Sequence, residues 1–259
     1  MSINEATGVV AFQQVAAALR DDIARGKIRQ GEKIPSAREL AEQFGVALTT
    51  AVRAVDELRR EGVIETRRGR GSFVCERREL FRRADQRYQR NPEGLAPNRS
   101  ESAEGGWLDH VDAEVWEEEA VEDIAERLGI AEGDPVSVVR YTWSVDGQPI
   151  QVSTQWEPLS LTAGTPIETP VDGTRGNPGV IARFDSIGLH IDHVDETTRT
   201  RMPNADESSR LNIGGGIPVF AIERTHWAGT TAVETANIII RGDRMTLVSR
   251  HDVPMEEDQ

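Results

Sequence analysis

Arg38, Thr49, Thr50 and Arg53 fall within one short stretch of the chain, and Arg67, Arg68 and Arg70 cluster around Gly69 a little further on. Hydroxyl and guanidinium groups suit the phosphate oxygens of a nucleic acid, and an arginine can also grip a guanine edge through two parallel hydrogen bonds. Arginines at a glycine-rich tip suit a narrow minor groove, where negative potential is concentrated. A basic face serving protein contacts would use the same residue types. Other chemistries find less support. His190 and Asp192 would share one face of a strand while His193 points away, a poor arrangement for a metal. No Ser-His-Asp spacing, nucleophile elbow or phosphate loop occurs, so no enzymatic activity, cofactor or metal is expected. Cys75 is the only cysteine, which excludes an internal disulfide and a multi-cysteine metal site.

The elements that position these groups follow in order. Val15, Leu19 and Ile23, with the alanine-rich run 16–18, predict a first helix ending at Gly26. Pro35 cannot continue a helix from upstream, and Ser36 with Glu39 forms a capping box that starts a second. Leu40, Ala41 and Phe44 are its apolar stripe, and Gly45 is its left-handed stop. A third helix is capped by Thr49 or Thr50, turns Val52, Val55 and Leu58 inward, and ends at Gly62. Residues 63–67 and 72–75 alternate as strands around the turn Arg68-Gly69-Arg70-Gly71. Helix, tight turn, helix and hairpin in this order make a winged helix-turn-helix, whose later helix keeps its outer face open to a major groove.

The chain has room for two domains of ordinary size, and its charge is unevenly spread. Residues 1–76 hold 12 Lys/Arg and 11 Asp/Glu, residues 77–100 hold 7 and 3, and residues 101–259 hold 11 and 30, a net of −19. The acidity therefore belongs to a separate C-terminal region. Between the two, Leu80, Phe81, Ala84 and Tyr88 keep helical phase until Asn91-Pro92-Glu93-Gly94 breaks it, and a Ser/Glu/Gly-rich stretch follows. Residues 77–106 thus read as a linker, first basic and then flexible, whose arginines either touch phosphates or solvate a connector. There is no run of 18 apolar residues and no signal-peptide pattern, so a cytoplasmic, nucleoid-associated protein without membrane contact is expected.

Residues 8–75 resemble the DNA-binding domain of the GntR family of bacterial transcriptional regulators. The likeness is carried by I-x-x-G-x-x-I-P-S-x-R-E-L-A (28–41), F-G-V (44–46), Thr49-Thr50, A-V-D-E-L-R-R-E-G-V-I (54–64) and the wing R-x-G-x-G-S-F-V. It implies that Arg38, Thr49, Thr50, Arg68 and Gly69 contact DNA, with Arg53 and Arg70 beside them. One departure stands out: Leu48 and Val52 occupy positions where relatives often have arginine, and Arg53 is placed to replace one lost contact.

From Trp107 onward helix and strand patterns are mixed. Residues 117–128 predict an amphipathic helix, 135–145 and 149–156 a hairpin around Asp146-Gly147, 177–187 a helix, 189–197 a strand and 205–211 a short helix. A second hairpin over 218–227 and 232–240 and a last strand over 246–250 complete an antiparallel sheet with helices packed on it. Segments 138–150, 216–225 and 232–244 resemble the UTRA effector domain of the HutC subfamily, whose fold is similar to chorismate lyase. The expected class is therefore α+β: a winged helix-turn-helix (1–76), the linker (77–106), a UTRA domain for small-molecule binding and dimerisation (107–254) and an acidic tail (255–259). The resemblance implies an effector held on the sheet by Arg140, Arg183 and Glu234. Guanidinium groups would take a phosphate or carboxylate, and the carboxylate would take hydroxyl or amine donors. Structural salt bridges would use the same residues. Thr142 stands where sugar-phosphate binders often have a second arginine, which disfavours a phosphosugar.

The expected protein is a ligand-responsive regulator, a repressor, that binds a palindromic operator in double-stranded DNA as a homodimer and yields to a small-molecule effector. The alternative is a DNA-binding protein whose acidic domain only dimerises or recruits partners.

Overall fold

Val15, Ala16 and Leu19 of α1 (Ala11–Ala24) meet Leu40 and Phe44 of α2 (Ala37–Phe44) and Ala51, Ala54 and Leu58 of α3 (Leu48–Arg60) in one apolar core. The computed structural model describes residues 10–75, 80–90, 110–170, 178–214 and 216–250, and the chain divides into two compact units, Met1–Arg78 with Ile213–Ile217, and Glu79–Asn212 with Pro218–Gln259. The capping box of α2 is formed as expected: Glu39 N–H donates to Ser36 Oγ at 3.3 Å, and Ser36 N–H donates to Glu39 Oε2 at 2.7 Å. Gly45 follows with φ 65°, the left-handed conformation that ends the helix.

Helix α3 differs from expectation in two respects. It begins at Leu48 after Ala47, so neither threonine caps it. Its inward stripe runs through Ala51, Ala54 and Leu58, and Val52 is 43 % exposed. Small alanines allow α3 to approach its neighbours closely, so the buried face is set by size rather than by the most apolar residue available. Strands β1 (Ile64–Arg67) and β2 (Gly71–Val74) pair antiparallel from Ile64↔Val74 to Arg67↔Gly71 and form the wing.

The second unit is built on a six-stranded antiparallel sheet in the order β4-β5-β6-β9-β8-β7. Its strands are β4 (His110–Glu119), β5 (Pro135–Val145), β6 (Gln148–Pro158), β7 (His193–Arg201), β8 (Val219–Ala228) and β9 (Thr231–Arg241). Helices α5 (Glu122–Leu128), α6 (Leu159–Thr162), α7 (Val180–Ser186) and α8 (Ala205–Arg210) lie in the connections. The Asp146-Gly147 hairpin forms as read, with φ 52° and 69° at the two turn residues. Residues 117–119, expected in a helix, extend β4 instead. Pairing with β5, from His110↔Ser144 to Glu119↔Pro135, overrides the local preference of the glutamates.

Two further corrections concern the segments outside this sheet. The presumed linker contains a strand, β3 (Leu80–Arg83), then a single helical turn, α4 (Ala84–Arg87), and both belong to the second unit. The expected last strand, β10 (Met245–Val248), does not join the main sheet; it pairs in parallel with β3. Leu80 is fully buried against Ile150, Ile222 and Ile238. A strand period, with Leu80 and Arg82 inside, replaces the helical phase because β10 supplies hydrogen-bond partners distant in sequence. The rest of the expected linker, residues 77–79 and 91–106, lies outside the described residues.

Candidate functional site

On the first unit the capping box exposes the opening turn of α2, where Arg38 reaches solvent. Thr49 is exposed and Thr50 half-buried on the first turn of α3, which contains no acidic residue. Arg68, Gly69 and Arg70 are exposed at the wing tip, where Gly69 adopts φ 74°. Arg20, Arg25, Arg59, Arg60 and Arg67 hold carboxylates; among the described residues Arg38, Arg68 and Arg70 hold none. Unpaired surface guanidiniums can take phosphate without first breaking a bond. Arg53 is also exposed, and its guanidinium sits 4.1 Å above the Phe12 ring, a cation–π contact that braces α3 against α1.

In the second unit, strand alternation sorts the effector candidates onto two faces of the sheet. Arg140, Thr154, Trp156, Asn237 and Glu223 share one face, which lines an open cleft of 380 Å³ together with Arg199, Arg201 and Arg210. Arg140 donates to Thr154 Oγ1 at 3.2 Å and lies 4.9 Å above the Trp116 ring. The other cleft arginines are engaged: Arg199 with Glu223, Arg201 with Glu207 and Arg210 with Asp206.

Glu234 lies on the opposite face, and Arg183 reaches the sheet from helix α7 through Glu157. Arg183 donates to Glu157 Oε1 at 2.6 Å and to the Ile167 carbonyl at 2.7 Å, and both charged side chains are buried. Glu234, also buried, accepts from Arg224 Nη2 and His226 Nδ1, each at 2.6 Å. Nearby, Arg82 and Tyr88 both donate to Glu196, and the Tyr88 ring meets His226 edge-on at 5.8 Å. The expectation that Arg140, Arg183 and Glu234 converge is therefore corrected, because alternate strand positions point opposite ways and Arg140 shares its side with Asn237. Sequence reasoning also missed Arg82, Tyr88, Glu196, Arg224 and His226. The available signal was Arg224 and His226 two apart on the face of Ile222, within the strand expected over 218–227.

Charge is tightly held in this buried band. Burial would raise the Glu234 carboxyl, but Arg224 and His226 outweigh it and hold its pKa at about 2. Burial, reinforced by Arg224, lowers His226, so the neutral ring donates from Nδ1 to the carboxylate. Burial likewise opposes ionisation of Glu196, yet Arg82 and Tyr88 keep its pKa below the ordinary value. The Nε atoms of Arg82 and Arg224 are buried and have no hydrogen-bond partner among the described residues.

Residues 11–74 match the bacterial regulatory proteins of the gntR family, and residues 113–246 match the UTRA domain. A crystal structure described as a GntR-family transcriptional regulator aligns with a TM-score of 0.64 at 34 % identity, over 95 % of this chain and 98 % of that one. The chain belongs to the GntR family. Like this regulator, the transcriptional repressor NagR of Bacillus subtilis aligns over its full architecture, at 25 % identity over 97 % of this chain and 99 % of its own. The repressor PhnF of Mycolicibacterium smegmatis is 28 % identical over 96 % of each chain. The GntR-family protein is thus a DNA-binding transcriptional regulator with a UTRA effector domain, and not an enzyme. No described helix is long and apolar enough to cross a membrane.

Proposed function

We propose that this GntR-family protein is a cytoplasmic repressor that binds a palindromic operator as a homodimer and is released by a small anionic metabolite. The observation that carries the operator half is the set of unpaired arginines, Arg38 at the start of α2 with Arg68 and Arg70 at the wing tip. These are the two places where a winged helix-turn-helix meets a duplex. Thr49 and Thr50 lie between them in the chain and supply hydroxyls.

The effector half rests on the buried band of the face opposite Arg140, which Leu80 of β3 and Met245 of β10 cover. Burying several charges is costly unless they are paired, and Arg82 and Arg224 each keep an Nε–H without a partner among the described residues. A carboxylate or phosphate would satisfy those donors, with Arg183 and Glu234 among the surrounding groups. Arg82 and Tyr88 belong to the segment that follows the wing in the chain, so a ligand that rearranges the Glu196 cluster would also rearrange that segment. A second reading has its own support: the open cleft around Arg140 has the volume of a metabolite site.

Selection of bound fragments from the native genome, followed by titration with metabolites of the neighbouring genes, tests the whole reading. An enriched palindrome released by an anion supports it, and operator affinity unchanged at saturating ligand refutes release. Arg224→Met abolishing the ligand response with Arg140→Ala silent assigns the covered face; the reverse pattern assigns the open cleft.

A further inference from the structure

Leu48 and Val52 are 49 % and 43 % exposed on α3, and neither belongs to the apolar cluster that packs the first unit. A singly exposed apolar residue is ordinary. These two are four residues apart, so they form one ridge along the helix. The ridge starts in the opening turn of α3, which carries no acidic residue and has no side-chain cap. Thr49 is exposed beside it, and Arg38, Arg68 and Arg70 of the same unit are exposed and hold no carboxylate among the described residues. Valine is also a weaker helix former than leucine or arginine, so helix propensity does not account for Val52.

The partner that fits this combination is polyanionic at its margins and apolar at one recessed point. In a major groove, side chains at the N-terminal end of the recognition helix reach base edges, and the apolar feature presented there is the 5-methyl group of thymine. An arginine at the same place would instead seek guanine O6 and N7. We infer that Leu48 and Val52 read thymine methyl groups, so that each operator half-site carries A·T pairs opposite this ridge. The inference rests on the operator reading above and specifies what α3 selects.

The test uses the full chain and random-sequence duplexes. Duplexes enriched by the wild type are resynthesised with deoxyuridine replacing one thymidine at a time, which removes the methyl group and keeps every base-pair hydrogen bond. The expected result is a loss of about fourfold for each contacted methyl at one or two positions per half-site. Leu48→Ala/Val52→Ala should bind the thymidine duplex more weakly by a similar factor per methyl and be indifferent to deoxyuridine at those positions. Both residues are exposed, and an unchanged melting temperature would show that the variant is folded. Leu48→Arg/Val52→Arg should shift the enriched sequences toward guanine. Enrichment without any deoxyuridine effect, or an equal effect in wild type and the alanine variant, overturns the inference and leaves the operator reading intact. Absence of any enriched duplex removes both.

Discussion

Glu234 has no exposed surface and holds two donors at once, so its replacement leaves Arg224 buried and uncompensated. Glu234→Ala should destabilise the second unit by about 3–5 kcal/mol, read by denaturant unfolding. The same carboxylate sets a pH dependence. Its pKa of about 2 lies below the ordinary 4.5, so its stabilisation is complete above pH 4.5 and is lost as the pH falls toward 2. His226, depressed from 6.5, acts in the same sense, because protonation costs more in the folded state than in the unfolded one. Unfolding midpoints measured from pH 7 to pH 3 should therefore decline, and the decline below pH 4.5 should be shallower in Glu234→Gln. On the first unit, Arg38→Ala should weaken operator binding by about 1–3 kcal/mol if its guanidinium reads a base, measured by fluorescence anisotropy. Arg53→Ala acts through another route: it removes the brace on Phe12 and should lower the stability of the head by about 0.5–1 kcal/mol in a thermal melt.

At the scale of elements, β3 is the segment whose role depends most on its surroundings. Leu80 inserts fully into the core beside Ile150, Ile222 and Ile238, and Arg82 reaches Glu196 from the same strand. Leu80→Ala should cost about 2–5 kcal/mol, the range for an emptied leucine site. A fragment beginning at residue 107 would lack β3 and leave β10 without its parallel partner. It should unfold at a lower temperature than a fragment beginning at residue 79, and equal melting temperatures would show that β3 is dispensable. The wing is more local. Its strands are adjacent in sequence, and Gly69 and Gly71 take φ 74° and 108°, conformations that favour glycine.

For the molecule as a whole, the near-neutral head and the strongly acidic remainder have different tasks in the proposed cycle. Net charge of −19 over residues 101–259 opposes approach to any duplex, while the unpaired arginines of the head attract it locally. If metabolite release operates, linkage requires the operator to weaken the metabolite by the same factor that the metabolite weakens the operator. Calorimetric titration of effector into free and operator-bound protein should show effector affinity reduced on the operator by the same factor by which saturating effector reduces operator affinity.

Local interactions were legible from the chain alone. Ser36 and Glu39 are three residues apart, Asp146-Gly147 suits a tight hairpin, and the wing glycines need left-handed backbone; each is decided by near neighbours. The residues resembling the two domain families lay in contiguous runs for the same reason. Tertiary structure alone decided which face of the sheet each charged residue took, because one position of strand phase reverses a side chain and separated Arg140 from Glu234. It also decided that residues 80–83 form a strand with β10, 165 residues further along the chain, that Val52 gives up its inward place to alanines, and that Arg53 lies on Phe12. These outcomes depend on partners brought together only when the chain is folded, and no spacing along the sequence encodes them.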